Sequence, residues 1–230
     1  MSQYKGSSSN LMSCPLILYT GEKQMIAIID YDAGNIKSVE KAMRHLGEEV
    51  VLTRDPAILK QADGVILPGV GSFGDAMEHL HAFGLVPVIR EITEAGKPFL
   101  GICLGLQLLF EESEESPGVP GLGILKGKIR RIPDAPGLKI PHMGWNALHL
   151  QNDGRLFRGI PEDTYVYFVH SYYLEAEDPS IVKAVTQYGT EIHASVEDGN
   201  VFACQYHPEK SSDRGLEMLR NFAALCRKNS

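Results

Sequence analysis

Three stretches of this chain, Met25-Ile-Ala-Ile-Ile-Asp30, Gly64-Val-Ile-Leu67 and Phe99-Leu-Gly-Ile-Cys103, are apolar with no polar alternation. A strand with one wet face alternates, so an unbroken apolar run of this length describes a strand covered on both faces, as in a parallel sheet. What lies between the runs agrees. Ile36, Val39, Met43 and Leu46 recur at helical spacing, and Gly47 follows as a natural stop. Glu49 to Leu52 reads as a further strand, Ser72 to Ala95 as a pair of helices closed by Gly96, and Leu104 to Glu112 as one more helix. Strand and helix in alternation define an α/β protein with a doubly wound, mostly parallel sheet and flanking helices.

After Pro117 the texture changes. Lys126 to Ile132, Ala147 to Leu150, Tyr165 to Leu174, Ile181 to Gln187, Glu191 to Val196 and Val201 to Tyr206 read as short strands between Gly, Pro and Asp turns, a smaller and partly antiparallel β portion. Asp213 is placed to cap a last helix, in which Leu216, Leu219, Phe222 and Leu225 are spaced to cover the sheet. There is no internal repeat and no linker long enough to divide the chain, so residues 25–230 are expected to form a single domain. Residues 1–24 read as an N-terminal extension of unassigned role. They lack the basic start and small-residue cleavage site of a secretory signal, and either an added tag or an upstream start codon fits, since Met25 opens the first strand.

Composition excludes several function classes. Lys and Arg number 22 against 29 Asp and Glu, a net charge of −7, which argues against nucleic acid or an anionic membrane as partner. No apolar run approaches the roughly 20 residues a membrane span needs. Cys14, Cys103, Cys204 and Cys226 are widely spaced with no C-x-x-C pair, which argues against a zinc knuckle, a redox dithiol or a disulfide framework and for free thiols in the cytoplasm. His79 and His81, two apart on a helix, face different ways. No metal or cofactor is expected.

The chemistry concentrates in Gly101-Ile-Cys103-Leu-Gly105, between a buried strand and a helix. A tight strand-to-helix turn holds its central residue in a strained backbone, with glycines on either side to avoid clashes. It presents the sulfur at the carboxyl edge of the sheet and at a helix N-terminus, where the dipole favours a thiolate. The Leu104 amide is then placed to donate to an oxyanion. A thiol nucleophile needs a base, and the base an orienter. Gln205-Tyr-His207-Pro-Glu209-Lys210 follows a strand and offers both: a Pro-containing bend can bring His207 and Glu209 to one point. Pro68-Gly69-Val70-Gly71-Ser72-Phe73-Gly74 lies at the same sheet edge. It lacks the Lys-Ser/Thr ending of a nucleotide loop, and Val70 or Gly71 is placed to supply the second oxyanion donor.

The elbow GICLGLQ, the loop PGVGSFG and the pair HPEKS resemble the class I (triad) glutamine amidotransferases, from about Met25 to the C-terminus. Pro141-His-Met-Gly-Trp145-Asn146 and Tyr167-Phe-Val-His170-Ser171-Tyr172 look most like the glutaminase subunits of imidazole glycerol phosphate synthases. The resemblance implies a flavodoxin-like fold, Cys103 as nucleophile, His207 as acid and base, and Glu209 as its partner. It implies that Gln107 and the backbone of His170, Ser171 and Tyr172 receive glutamine. It implies a heterodimer with a (β/α)8-barrel cyclase, through a face containing Asn35, Trp145, Tyr167 and Lys210, with glutamine hydrolysed and its ammonia passed to the cyclase. For Trp145 core packing, and for Lys210 a solvated side chain, remain open. The loop glycines permit a peptide flip that would complete the oxyanion hole only when the partner's ligand is bound.

Rival readings are a glutaminase serving an anthranilate, guanylate or pyridoxal phosphate synthase, a cysteine hydrolase or peptidase on the same fold, and a catalytically silent regulatory module. Leu106 where the first two synthases' relatives usually carry His or Met, the HMGWN tract, Gln107 and an intact Cys103, His207 and Glu209 argue against them in turn.

Overall fold

A computed structural model describes residues 24–227, so the extension, apart from Gln24, and Cys14 lie outside the described residues. The parallel core consists of β1 (Met25–Ile29), β2 (Glu49–Thr53), β3 (Gly64–Gly69) and β4 (Phe99–Cys103). Ala27 and Ile29 enter one apolar cluster while Ile26 and Ile28 enter the other, which is why this strand shows no polar alternation. Helices α1 (Ile36–His45) and α6 (Ser212–Cys226) cover the second cluster; α3 (Phe73–Ala82) and α4 (Leu85–Glu94) cover the first. Phe222 of α6 is fully buried and meets Phe202 edge-on at 6.0 Å between ring centroids. Deleting a side chain so placed costs about 3–5 kcal/mol. Helix α1 stops where the sequence reading puts its end, with Gly47 in the left-handed region at φ 85°.

Helix α2 (Pro56–Gln61), capped by the Asp55 carboxylate on the Ala57 amide, was not anticipated from the sequence. Helix α5 (Leu104–Leu108) is shorter than the expected Leu104 to Glu112: the chain leaves the helix after Leu109, and β5 (Glu112–Ser113) pairs with β6 (Gly127–Arg131). The expected strand from Tyr165 to Leu174 is two strands, β8 (Thr164–His170) and β9 (Tyr172–Ala176), which part at Ser171 into different sheets. Asp213 does not cap α6. Ser211 occupies that position, and Asp213 sits in the first turn, where its carboxylate still complements the positive end of the helix dipole.

The remaining strands are β7 (His142–Leu150), β10 (Val182–Gln187), β11 (Glu191–Asp198) and β12 (Val201–Cys204). Among the described residues the large sheet has nine strands in the order β2-β1-β3-β4-β12-β11-β10-β7-β8, and β5-β6-β9 form a second, small sheet. Pairing is parallel from β2 through β12 and antiparallel from β12 to β8. One pairing matters most for chemistry. β12 lies parallel to β4 with Cys204 opposite Ile102, so the two chain segments that follow, at Cys103 and at His207, emerge side by side at one sheet edge.

Candidate active site

Cys103 ends β4 and precedes α5 with φ 56° and ψ −107°, a backbone that L-residues rarely adopt. The flanking glycines are required by space. A Cβ at Gly105 would collide with the Leu67 carbonyl oxygen, and one at Gly101 would come within 2.7 Å of the Gly105 carbonyl oxygen. Leu104 opens α5, so its N–H has no acceptor within the helix.

His207 follows β12, and its ring is almost completely buried. Nδ1 donates to Glu209 Oε1 at 2.9 Å, with the carboxylate equally buried. Nε2 has no hydrogen-bond partner among the described residues. Burial opposes a charge on this ring, but interaction with the adjacent Cys103 sulfur and the Glu209 carboxylate outweighs it and raises its pKa to about 9. At neutral pH the imidazole therefore carries a proton. That is the form that accompanies a thiolate and that donates to a leaving amine. The Gln205 amide donates toward the Cys103 sulfur at 3.7 Å from the other side.

A cavity of about 320 Å³ opens beside the sulfur, lined by Val70, Gly71, Cys103, Leu104, Gln107, Glu115, Pro141 and residues 169–172. Gln107, His170, Ser171 and Tyr172 thus meet around one space, together with Leu104, Val70 and Gly71. The loop bearing the last two is held at its root: the Tyr31 hydroxyl donates to the Pro68 carbonyl at 2.9 Å. Gly71 is in the left-handed region at φ 108°. A larger hollow of about 590 Å³, between Arg90, Leu122 and Asn200, lies at the other ends of β4 and β12 and is lined by no cysteine or histidine. His149, Glu162 and Asp163 cluster at the far end of the β7–β8 hairpin, away from this site.

Sequence reading overlooked Glu115. Its carboxylate accepts from the Phe73 amide at 2.8 Å and borders the cavity, where it offers a negative charge. Its neighbours in sequence are also acidic, so composition alone could not single it out. Asn35, expected on a partner face, is half-buried, and its amide donates to Glu209 Oε1 at 2.7 Å. An asparagine before a helix ordinarily caps it, but Asn35 makes no side-chain cap bond and braces the carboxylate instead. Trp145 is not core: it is 52% exposed and meets its cross-strand neighbour Tyr167 at 6.2 Å. The exposed Lys210 ammonium stands 6.0 Å over the same Tyr167 ring. Met143 and Tyr165, also strongly exposed, extend this apolar face.

A further polar group lies behind the cavity. His142 and His170 are joined Nδ1 to Nε2 at 3.0 Å, and His170 Nδ1 donates to the Tyr172 carbonyl at 2.8 Å. Burial lowers the pKa of His142 to about 4. Burial likewise dominates at His170, and with the repulsion a protonated His142 or His207 would exert it outweighs the Tyr172 bond to leave a pKa of about 3. Both rings are therefore neutral at physiological pH.

The family described as Glutamine amidotransferase class-I matches residues 27–226. Among curated relatives, the imidazole glycerol phosphate synthase subunit HisH of Moorella thermoacetica is 54% identical over 202 residues, which is 88% of this chain and 95% of the relative. The protein of the same name from Methanothermobacter thermautotrophicus is 52% identical over 88% of this chain and all of its own length. Among solved structures, that of PurLQS from Thermotoga maritima superposes with a TM-score of 0.70 at 22% identity, over 90% of this chain and 100% of the other. A glutamine amidotransferase from Thermotoga maritima does so with 0.61 at 17%, over 89% and 84%. Those two likenesses speak to the fold. The match along nearly the whole described chain, with relatives identical at half their positions, leaves one conclusion: this chain belongs to the class-I glutamine amidotransferase family.

Proposed function

We propose that this chain is the glutaminase subunit of an imidazole glycerol phosphate synthase, its residues 25–230 forming one amidotransferase domain in the cytoplasm. The observation that carries the reading is the strained Cys103 beside a buried His207 braced by Glu209, at the mouth of a cavity of amino-acid size.

The Cys103 sulfur attacks the side-chain carboxamide carbon of glutamine. The oxyanion that forms is taken by the Leu104 amide and by an amide of Val70 or Gly71. As the C–N bond breaks, His207 gives its Nε2 proton to the departing nitrogen, and ammonia leaves a γ-glutamyl thioester. Water, deprotonated by the now neutral His207, cleaves the thioester to glutamate and restores the thiol. Gln107, Glu115 and the backbone from His170 to Tyr172 hold the substrate, the Glu115 carboxylate being suited to its ammonium group.

Free ammonia becomes ammonium in neutral water and is then no nucleophile, so productive use requires a sheltered route to an acceptor. We assign the acceptor to a second chain, a (β/α)8-barrel cyclase, because the curated relatives at half identity are named as one subunit of a synthase. It would dock on the exposed Met143, Trp145 and Tyr165, with Tyr167, Lys210 and the turn at Asn35 adjoining. That patch meets the triad directly, because the His207 amide donates to the Tyr167 carbonyl at 2.9 Å. The turn also meets the oxyanion loop: a Cβ at Gly34 would come within 2.7 Å of a Val70 methyl. A partner that moves either element would therefore act on the loop, and a peptide flip there is the switch we favour. Glutamate release should be slow for the chain alone and rise sharply with the cyclase and its nucleotide ligand, and Cys103→Ala should abolish it. Equal rates with and without the cyclase would remove the switch, and no glutamate in either case would remove the function.

A further inference from the structure

The two neutral histidines form part of a hydrogen-bonded series whose direction is fixed at both ends. At one end, the Asn146 side-chain oxygen accepts from the Ala147 amide at 2.9 Å, and its nitrogen donates to the Gln187 carbonyl at 3.0 Å. That nitrogen also faces His142 Nε2 at 3.4 Å, so His142 Nε2 is an acceptor. At the other end the Tyr172 carbonyl can only accept, so His170 Nδ1 carries a hydrogen. In a neutral ring its Nε2 is then bare and must accept from His142 Nδ1. Both rings are thereby set as the Nδ1–H tautomer.

The Tyr172 carbonyl also accepts from Gln107 Nε2 at 3.1 Å, and the second hydrogen of that nitrogen goes to Gln205 Oε1 at 3.0 Å. With both N–H bonds of Gln107 committed to carbonyl oxygens, the atom it turns to the cavity is its own oxygen. The opposite amide orientation would set that oxygen against the Tyr172 carbonyl oxygen, which can only accept.

We propose that the His142–His170 pair is a positioning element of this site: from strand β7 it fixes the Tyr172 carbonyl and, through it, the Gln107 amide, so that an oxygen faces the substrate. The selectivity that follows is for the N–H donors of glutamine, its ammonium or carboxamide hydrogens, over its carboxylate. This rests on reading the cavity as a glutamine site. His142 is held for the task, stacked on Tyr188 at 3.9 Å and on Phe168 at 4.7 Å. It also lies on the strand whose next outward residues are Met143 and Trp145.

Two measurements test the proposal. Long-range proton–nitrogen spectra of the histidine-labelled wild-type chain should show His142 and His170 as neutral Nδ1–H tautomers near pH 7.5, although a solvated histidine side chain prefers Nε2–H. An Nε2–H tautomer or an imidazolium at either ring overturns the proposal, and because the wild-type chain is used the result does not depend on a variant folding. In the complex with the cyclase, His142→Phe, which keeps the aromatic stack and removes both nitrogens, should raise KM for glutamine about 5–10-fold. It should leave kcat within about twofold, since neither ring touches the reacting atoms. Loss of kcat at unchanged KM, or no change in KM, overturns it. A wild-type complex that releases no glutamate while the tautomers are as expected would instead overturn the glutamine reading, and with it the selectivity proposed here.

Discussion

His142 and His170 should make the fold sensitive to mild acid, and the size of the effect follows from their setting. Both rings are buried, at 3% and 6% exposure, and burial holds their pKa values at about 4 and about 3 against 6.5 when unfolded. A base whose pKa is depressed by folding leaves the unfolded chain as the better proton acceptor, so stability rises with pH. The contribution is fully present above pH 6.5 and is lost as pH falls toward 4 for His142 and 3 for His170. At about pH 5 each unfolded ring has gained roughly 2 kcal/mol from a proton its native counterpart does not take. His207 works in the opposite sense. Its raised pKa contributes stability that is complete below 6.5 and lost as pH rises through about 9. The cleanest readout is therefore a difference. Urea unfolding of the wild type and of His142→Phe at about pH 7.5 and about pH 5 cancels His207 and the other groups that do not touch His142, and His170, whose low pKa is set mainly by burial, changes little. The wild type should lose about 2 kcal/mol more than the variant over that interval. Equal losses would mean that His142 takes up a proton within the native fold, and the account of a neutral relay would fail.

Three further outcomes are expected. Gly105→Ala should lower the thermal midpoint by an amount equivalent to about 1–3 kcal/mol and slow alkylation of Cys103, because the new methyl meets the Leu67 carbonyl oxygen; an unchanged midpoint would show that the elbow has room to spare. Asn35→Ala removes a 2.7 Å bond to a buried carboxylate, worth about 1.5–3 kcal/mol. It should lower kcat of the assembled enzyme at least tenfold; weaker association with the cyclase at normal kcat would make Asn35 an interface residue only. Trp145→Ala should weaken association with the cyclase while leaving the midpoint of the isolated chain within about a degree, since the indole is half exposed.

What could be read in the residues, and what could not, divides along a physical line. Backbone sterics and burial are local, so Gly101 and Gly105 around Cys103, the unbroken apolar run of β1 and the stop at Gly47 all declare themselves within a few residues. The large sheet follows from these, and so does the strained turn that presents Cys103. Pairings across long stretches of chain follow different rules. That His207 arrives beside Cys103 depends on β12 lying next to β4 in one register, and no short segment encodes this. The parting of Tyr165 to Leu174 at Ser171 depends on which sheet each half can join. Glu115 looks like its acidic neighbours until the fold sets it against the cavity. Asn35 has the spelling of a helix cap, and only the buried carboxylate beside it draws its amide away. The sequence of this protein determined which residues could do chemistry; the tertiary structure decided which of them meet, because side-chain polarity is a property of one residue whereas a hydrogen bond is a property of two.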